Sequence, residues 1–158
     1  LGSIQRIYNH YIGREGDVTT FEEELVSAQD MALRVRDTLS KGFWWLVAVD
    51  RGSDEVQGYA YATSFKPRSA YRFSAETSVY LDPAQRRRGL GRALMEELLL
   101  RLRHKGMKQA VAILGTARDN PGSYGLHAAL GFREVAHLPD IGFKHGRFVD
   151  RVWMQLAL

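Results

Sequence analysis

Between Glu76 and Gly106 a strand, a break, an arginine- and glycine-rich turn and an amphipathic helix follow one another with almost no spare residues. Thr77 to Leu81 is β-branched and aromatic with partial alternation, which predicts a strand. Asp82-Pro83 ends it. From Ala93 to Lys105, Leu94, Leu98 and Leu102 recur at helical spacing and Leu99 widens the stripe. Glu97 and Arg101 can pair one turn apart on the other face. His104 and Lys105 fall in the last turn and Gly106 stops the helix.

The turn itself reads Gln85-Arg86-Arg87-Arg88-Gly89-Leu90-Gly91-Arg92. Gly89 and Gly91 carry no Cβ, so the backbone can bend sharply and come close to a ligand. The first N–H groups of the helix lack intrahelical partners and the helix dipole favours an anion there. The dipole contributes roughly 0.3–1 kcal/mol, whereas charge-assisted bonds from Arg87, Arg88 or Arg92 add about 1.5–3 kcal/mol each. A pyrophosphate seat fits these terms. A basic turn ahead of a surface helix is the plainer reading. Neither a G-x-x-x-x-G-K-[ST] loop nor a complete G-x-G-x-x-G is present.

At 158 residues the chain is expected to form one domain, residues 1–158, with a core of its own. No apolar run approaches the ~20 residues that span a bilayer, and no secretory leader is visible. With no cysteine, disulfides, cysteine metal sites and a cysteinyl acyl-enzyme are excluded, and a cytoplasmic setting is expected. No metal is expected. The net charge of +4 suits an anionic ligand without choosing its kind. Nucleic acid is not an expected partner, because the Arg86 to Arg88 run lacks interleaved aromatics and any recognisable binding motif.

In chain order, Ile4 to Ile12 predicts a helix with Ile4, Ile7, Tyr8, Tyr11 and Ile12 on one face. Thr20 and Glu23 fit a capping box, and a second helix is predicted from about Ser27 to Leu39. Phe43 to Val49 and Val56 to Ser64 read as a hairpin around the turn at residues 50–54. The loop from Phe65 to Tyr71 holds a proline and two cations, and the central strand and helix follow. Gln109 to Leu114 is a strand, and Asn120-Pro121 opens a short helix closed by Gly131. Arg133 to Leu138 and Arg147 to Leu156 are the final strands. The order predicts an α/β protein whose mixed sheet carries helices on both faces.

The glycine turn resembles the Q/R-x-x-G-x-G/A pyrophosphate loop of the GNAT N-acetyltransferase family, and the order of elements resembles that family's three-layer αβα fold. The family begins with a strand ahead of the first helix. This chain starts inside the helix, so that strand is expected to be absent and an edge left unpaired. The likeness narrows to the phosphinothricin N-acetyltransferase branch. It is carried by Ile7-Tyr8-Asn9-His10-Tyr11-Ile12, Thr20-Phe21-Glu22-Glu23, Gly58-Tyr59-Ala60-Tyr61-Ala62 and Arg68-Ser69-Ala70-Tyr71. Glu76-Thr77-Ser78-Val79-Tyr80, the segment from Leu126 to Phe132, and Gly142 to Gly146 extend it over almost the whole chain. There are departures. The loop before Asn120 is two residues longer, and Phe73 and Arg72 stand where the branch has Trp and Asp.

The resemblance implies acetyl-CoA as cosubstrate and a homodimer. It places the pantetheine along Val79, Tyr80 and Leu81, the pyrophosphate on Arg87, Arg88, Gly89, Leu90, Gly91 and Arg92, and the pantetheine arm at Asn120. It gives Lys66, Arg68, Tyr71 and Phe21 to the acceptor, and the catalytic parts to Glu76 as general base and His127 as proton carrier. On its residues alone His127 is more simply a packed helix residue, and Tyr124 is a second candidate acid. Lys66 and Arg68 also read as an ordinary basic loop, and Phe21, Phe73 and Trp153 either wall the pocket or fill the core, Trp153 more simply as core. The expected reaction is acetyl transfer to the amine of a small amino acid such as phosphinothricin or methionine sulfoximine. Other amines, or an acyl-CoA sensor without turnover, are the alternatives.

Overall fold

A computed structural model describes all of residues 1–158. Helix α1 spans Gly2–Gly13 and buries Ile4, Ile7, Tyr8, Tyr11 and Ile12, the stripe that its spacing predicts. Helix α2 spans Ala28–Ser40, and the Ser27 side chain caps it by accepting from the Asp30 N–H. The capping box at Thr20 does not form. No helix begins there, and the Thr20 hydroxyl instead accepts from the Glu22 N–H at 3.2 Å and meets the Tyr8 hydroxyl at 3.2 Å.

Strands β1 (Trp45–Val49), β2 (Val56–Ser64), β3 (Ser74–Leu81), β4 (Gln109–Leu114), β5 (Arg133–Lys144) and β6 (Arg147–Ala157) form one sheet. Their order is β1-β2-β3-β4-β6-β5. Helix α3 is Leu90–His104 and α4 is Pro121–Ala129. Strand β1 is an edge, as expected, with Val47 and Val49 exposed. Strand β5 runs well past Leu138. Pro139 cannot donate to a ladder, but it falls in an irregular stretch between Leu138 and Gly142 on the outermost strand, where a missing N–H costs little. Asp140 turns into the left-handed region there, and its N–H is held by the Asp150 carboxylate at 2.9 Å.

Alternation along the strands sorts side chains to two faces. On one face Leu94, Met95, Leu98 and Leu102 of α3 pack on Ala60, Ala62, Ala75, Ala110 and Ala112, small residues that let the helix lie close. Leu98 is fully buried, so Leu98→Ala should cost about 2–5 kcal/mol. On the other face α1 and α2 cover Tyr59, with Trp45, Tyr61 and Tyr80 packed beside it. The three layers match the expected αβα arrangement.

The functional consequence lies in one pairing. Strands β3 and β4 are parallel and paired only over Ser74↔Gln109, Ala75↔Ala110 and Glu76↔Val111. Both strands continue, yet Thr77–Leu81 and Ala112–Leu114 no longer face each other as partners. The sheet therefore splays open just beyond Glu76.

Candidate functional site

The splay leads into a groove of about 660 Å³. One wall is the end of α1 and its loop, including Tyr11, Arg14 and Val18; the floor is Val79, Tyr80 and Leu81 of β3. The far end is the turn with Arg86, Arg87, Gly89, Gly91 and Arg92, and the opposite wall is the start of α4 with Asn120, Ser123 and Leu126. The Tyr11 hydroxyl donates to the Leu81 carbonyl at 2.6 Å and ties α1 to the end of β3.

The turn is built for an anion. Arg87 and Gly89 are both left-handed, at φ 62° and 79°, which reverses the chain twice before α3 starts. From Arg86 to Arg92 no backbone N–H donates a hydrogen bond within the chain, and the helix start has no side-chain cap. Such a row of orphan donors at a helix N-terminus, flanked by guanidinium groups, fits a pyrophosphate. A Cβ on Gly91 would stand 3.2 Å from Leu126 and 3.4 Å from Leu81, so a side chain there has no free space except the groove. At the other wall the Asn120 side chain accepts from the Ser123 N–H at 3.2 Å and starts α4, as its place before Pro121 predicts.

Two residues assigned to this site lie outside the groove. Arg88 turns back to the Gln85 side chain, and Leu90 does not line the cavity. Arg86, Arg14 and Tyr11 do line it and were not singled out from sequence. Arg86 stands in the same basic run, with its guanidinium 5.4 Å from the centre of the Tyr11 ring. Tyr11 and Arg14 lie some seventy residues from the turn, and no local spacing brings them to it.

Glu76 sits where the splay begins, half-buried on the face that α1 and α2 partly cover; its neighbours Ala75 and Thr77 point to the α3 side. Burial pushes its carboxyl above the ordinary range, and the Lys66 ammonium pulls part of the way back. A half-buried carboxylate of raised basicity at the mouth of the opening is suited to take a proton.

His127 lies on the other side of the sheet, almost fully buried, with its ring edge-on to Phe132 at 5.0 Å. Its Nδ1 lies 2.8 Å from the Ser123 carbonyl, an arrangement that requires the proton on Nδ1. Nε2 is then the unprotonated nitrogen of a neutral ring, and it is buried without a partner. Burial also holds the ring below its ordinary pKa. In this state His127 can accept a proton at Nε2 but has none there to give. The Tyr124 hydroxyl is engaged outward, donating to Glu134 at 2.8 Å.

On the Glu76 face, Phe65 centres the basic loop. Tyr71 meets its ring edge-on at 5.7 Å, Trp153 at 5.7 Å, and the Lys66 ammonium lies 5.3 Å from its centre. Arg68 is exposed at the start of a short 3₁₀ turn, Ser69–Tyr71. Trp153 thus helps to wall this side and is not plain core. Phe21 lies across the face on a different support: its ring covers the Arg151 guanidinium at 3.7 Å and rests where a Cβ on Gly142 would come within 2.2 Å.

Comparison with known proteins agrees with this geometry. The family pattern described as Acetyltransferase (GNAT) family matches residues 4–132. The chain is 41% identical over 158 residues to the phosphinothricin N-acetyltransferase of Alcaligenes faecalis, covering 100% of this chain and 78% of that protein. It is 34% identical to the L-methionine sulfoximine/L-methionine sulfone acetyltransferase of Pseudomonas aeruginosa, covering 100% and 89%. A crystal structure of a GNAT superfamily phosphinothricin acetyltransferase from Sinorhizobium meliloti in complex with AcCoA superposes with a TM-score of 0.93. That pair is 41% identical, and the match covers 99% of this chain and 82% of the other. The splayed sheet, the uncapped glycine turn and these relatives converge: the chain belongs to the GNAT family of acetyltransferases.

Proposed function

We propose that the protein transfers the acetyl group of acetyl-CoA directly to the amine of a small amino acid of the phosphinothricin or methionine sulfoximine type. The observation that carries this reading is the position of Glu76 at the last β3–β4 pair, where the strands part towards the groove, on the face that holds Lys66. Acetyl-CoA supplies an activated thioester. The orphan N–H groups from Arg86 to Arg92 hold its pyrophosphate, and the unpaired side of Val79–Leu81 receives the pantetheine.

Glu76 takes a proton from the acceptor ammonium and frees the nitrogen lone pair for attack. Help of this kind is typically worth about 10²–10⁴ in rate. Lys66 and Arg68 receive the acceptor's anionic end, Arg68 by a bidentate fork, and the Tyr71 hydroxyl adds a donor. His127 is kept as a proton carrier, with the Ser123 carbonyl holding Nδ1 and Nε2 left as the nitrogen that would exchange the proton. The reading includes a homodimer. It is supported by Ile141, Phe143 and Phe148, large apolar residues exposed together on the β5–β6 hairpin.

A panel of amines assayed for acetyl-CoA-dependent thiol release tests the proposal. Phosphinothricin and methionine sulfoximine should exceed glycine, a peptide amino terminus and a polyamine. Tight acetyl-CoA binding with no turnover of any acceptor would instead mark a sensor.

A further inference from the structure

Two cations are buried beside the acceptor face without a carboxylate partner. Lys144 is 2% exposed, and its ammonium donates to the Thr20 carbonyl at 2.8 Å. Arg151 is 6% exposed; its Nη2 donates to the Val18 carbonyl at 2.6 Å, while Nη1 is buried with no partner at all. Neither forms a salt bridge. Burial disfavours both charges and pushes the Arg151 guanidinium down to about 10. Leaving a charged donor unsatisfied inside a protein is costly, and a structural role for Nη2 does not explain Nη1. Asp17 and Asp119 attract the guanidinium from a distance but pair with Arg14 and Arg147 instead, which leaves Nη1 for another anion.

Its position says which anion. In the β4–β6 register, Trp153 stands opposite Ile113 and Val152 opposite Leu114, so Arg151 continues the row that holds Trp153. That row faces the Glu76 side of the sheet. Arg151 and Phe21 do not line the cofactor groove, although Val18, to which Arg151 is bonded, does. Nη1 also lies 3.5 Å from where a Cβ on Gly115 would stand, next to the end of β4. The guanidinium stands on the Glu76 face of the sheet, behind the groove wall formed by Val18, Asp119 and Asn120, and Phe21 is what separates it from the acceptor face. Phe21 is its cover, a ring 38% exposed that lies flat over the charge and rests on Gly142.

We propose that Arg151 is a specificity-determining residue whose Nη1 binds the carboxylate of an amino-acid acceptor, with Phe21 moving aside to admit it. Lys66 and Arg68 hold the side-chain anion at one end, and Arg151 holds the carboxylate at the other. Every acceptor of the proposed type has this carboxylate, and one with a side-chain anion as well, such as phosphinothricin, engages both ends. This deepens the function proposed above and rests on it.

The test compares wild type, Arg151→Met and Arg151→Lys on two acceptors, phosphinothricin and the aminoalkyl phosphinate that lacks its carboxylate. For Arg151→Met the KM for phosphinothricin should rise about 10- to 150-fold, with the KM for the decarboxylated compound and for acetyl-CoA unchanged. Arg151→Lys, which keeps the charge but loses the fork, should lie between and guards against misfolding of the methionine variant. Equal effects on both acceptors, no effect on either, or a raised KM for acetyl-CoA overturns the assignment. If the wild type acetylates neither compound, the proposed function itself falls, and this assignment falls with it.

Discussion

A tryptophan at Gly91 tests the groove most sharply. Gly91 is the second residue of α3, outside the left-handed region, so its smallness serves space and not backbone conformation. A Cβ there already presses on Leu126 at 3.2 Å and Leu81 at 3.4 Å, and an indole beyond it can only enter the groove. Overpacking of this kind costs about 1–3 kcal/mol, or roughly 2–12 °C in Tm for a chain of this size. In the wild type, acetyl-CoA at a hundred times its Kd should stabilise by about 2.7 kcal/mol and raise Tm by roughly 5–11 °C. Thermal melts with and without ligand separate the two effects. Gly91→Trp should melt lower and show no ligand shift. Gly91→Ala, whose methyl needs a neighbour to yield only a few tenths of an ångström, should keep the shift. A full shift in Gly91→Trp would refute the placement of the cofactor.

Two further outcomes are expected. Arg68→Ala should raise the KM for an anionic acceptor about 10- to 150-fold and leave glycine nearly unaffected, as initial rates will show; equal changes on both would remove Arg68 from recognition. His127 is held below its ordinary pKa by burial, so as pH falls below about 6.5 the unfolded chain takes a proton that the folded ring refuses. Stability should be lost progressively from there down to the folded-state pKa, and urea midpoints of His127→Gln should show a correspondingly flatter slope.

Much of this fold was legible in the chain because periodicity reports burial. The stripe of α1, the leucines of α3 and the capping of α4 by Asn120 follow from local spacing alone. The capping box at Thr20 does not form because no helix starts there; its hydroxyl serves a turn to the Glu22 N–H and meets Tyr8, twelve residues earlier. Strand β5 continues past Leu138, where the sequence reading ends it, because an edge strand tolerates Pro139 at a bulge. The glycine turn was readable because its need for small residues is local. Tyr11 and Arg14 in the groove, and Arg151 beneath Phe21, depend on contacts between distant segments. A lone arginine in a β-strand carries no local mark of the ring that covers it.

The most direct measurement is the turnover of Glu76→Gln across pH. Glutamine keeps the shape but cannot accept a proton, so kcat should fall about 10²–10⁴-fold at neutral pH, equivalent to roughly 2.7–5.5 kcal/mol of barrier. The acetyl-CoA shift in Tm should remain, and alkaline pH should restore part of the rate by deprotonating the amine in solution. In the wild type, kcat/KM should rise with pH through an inflection above the ordinary carboxylate range, because burial raises this carboxyl. Wild-type turnover by Glu76→Gln at neutral pH would contradict the assignment of Glu76 as the base.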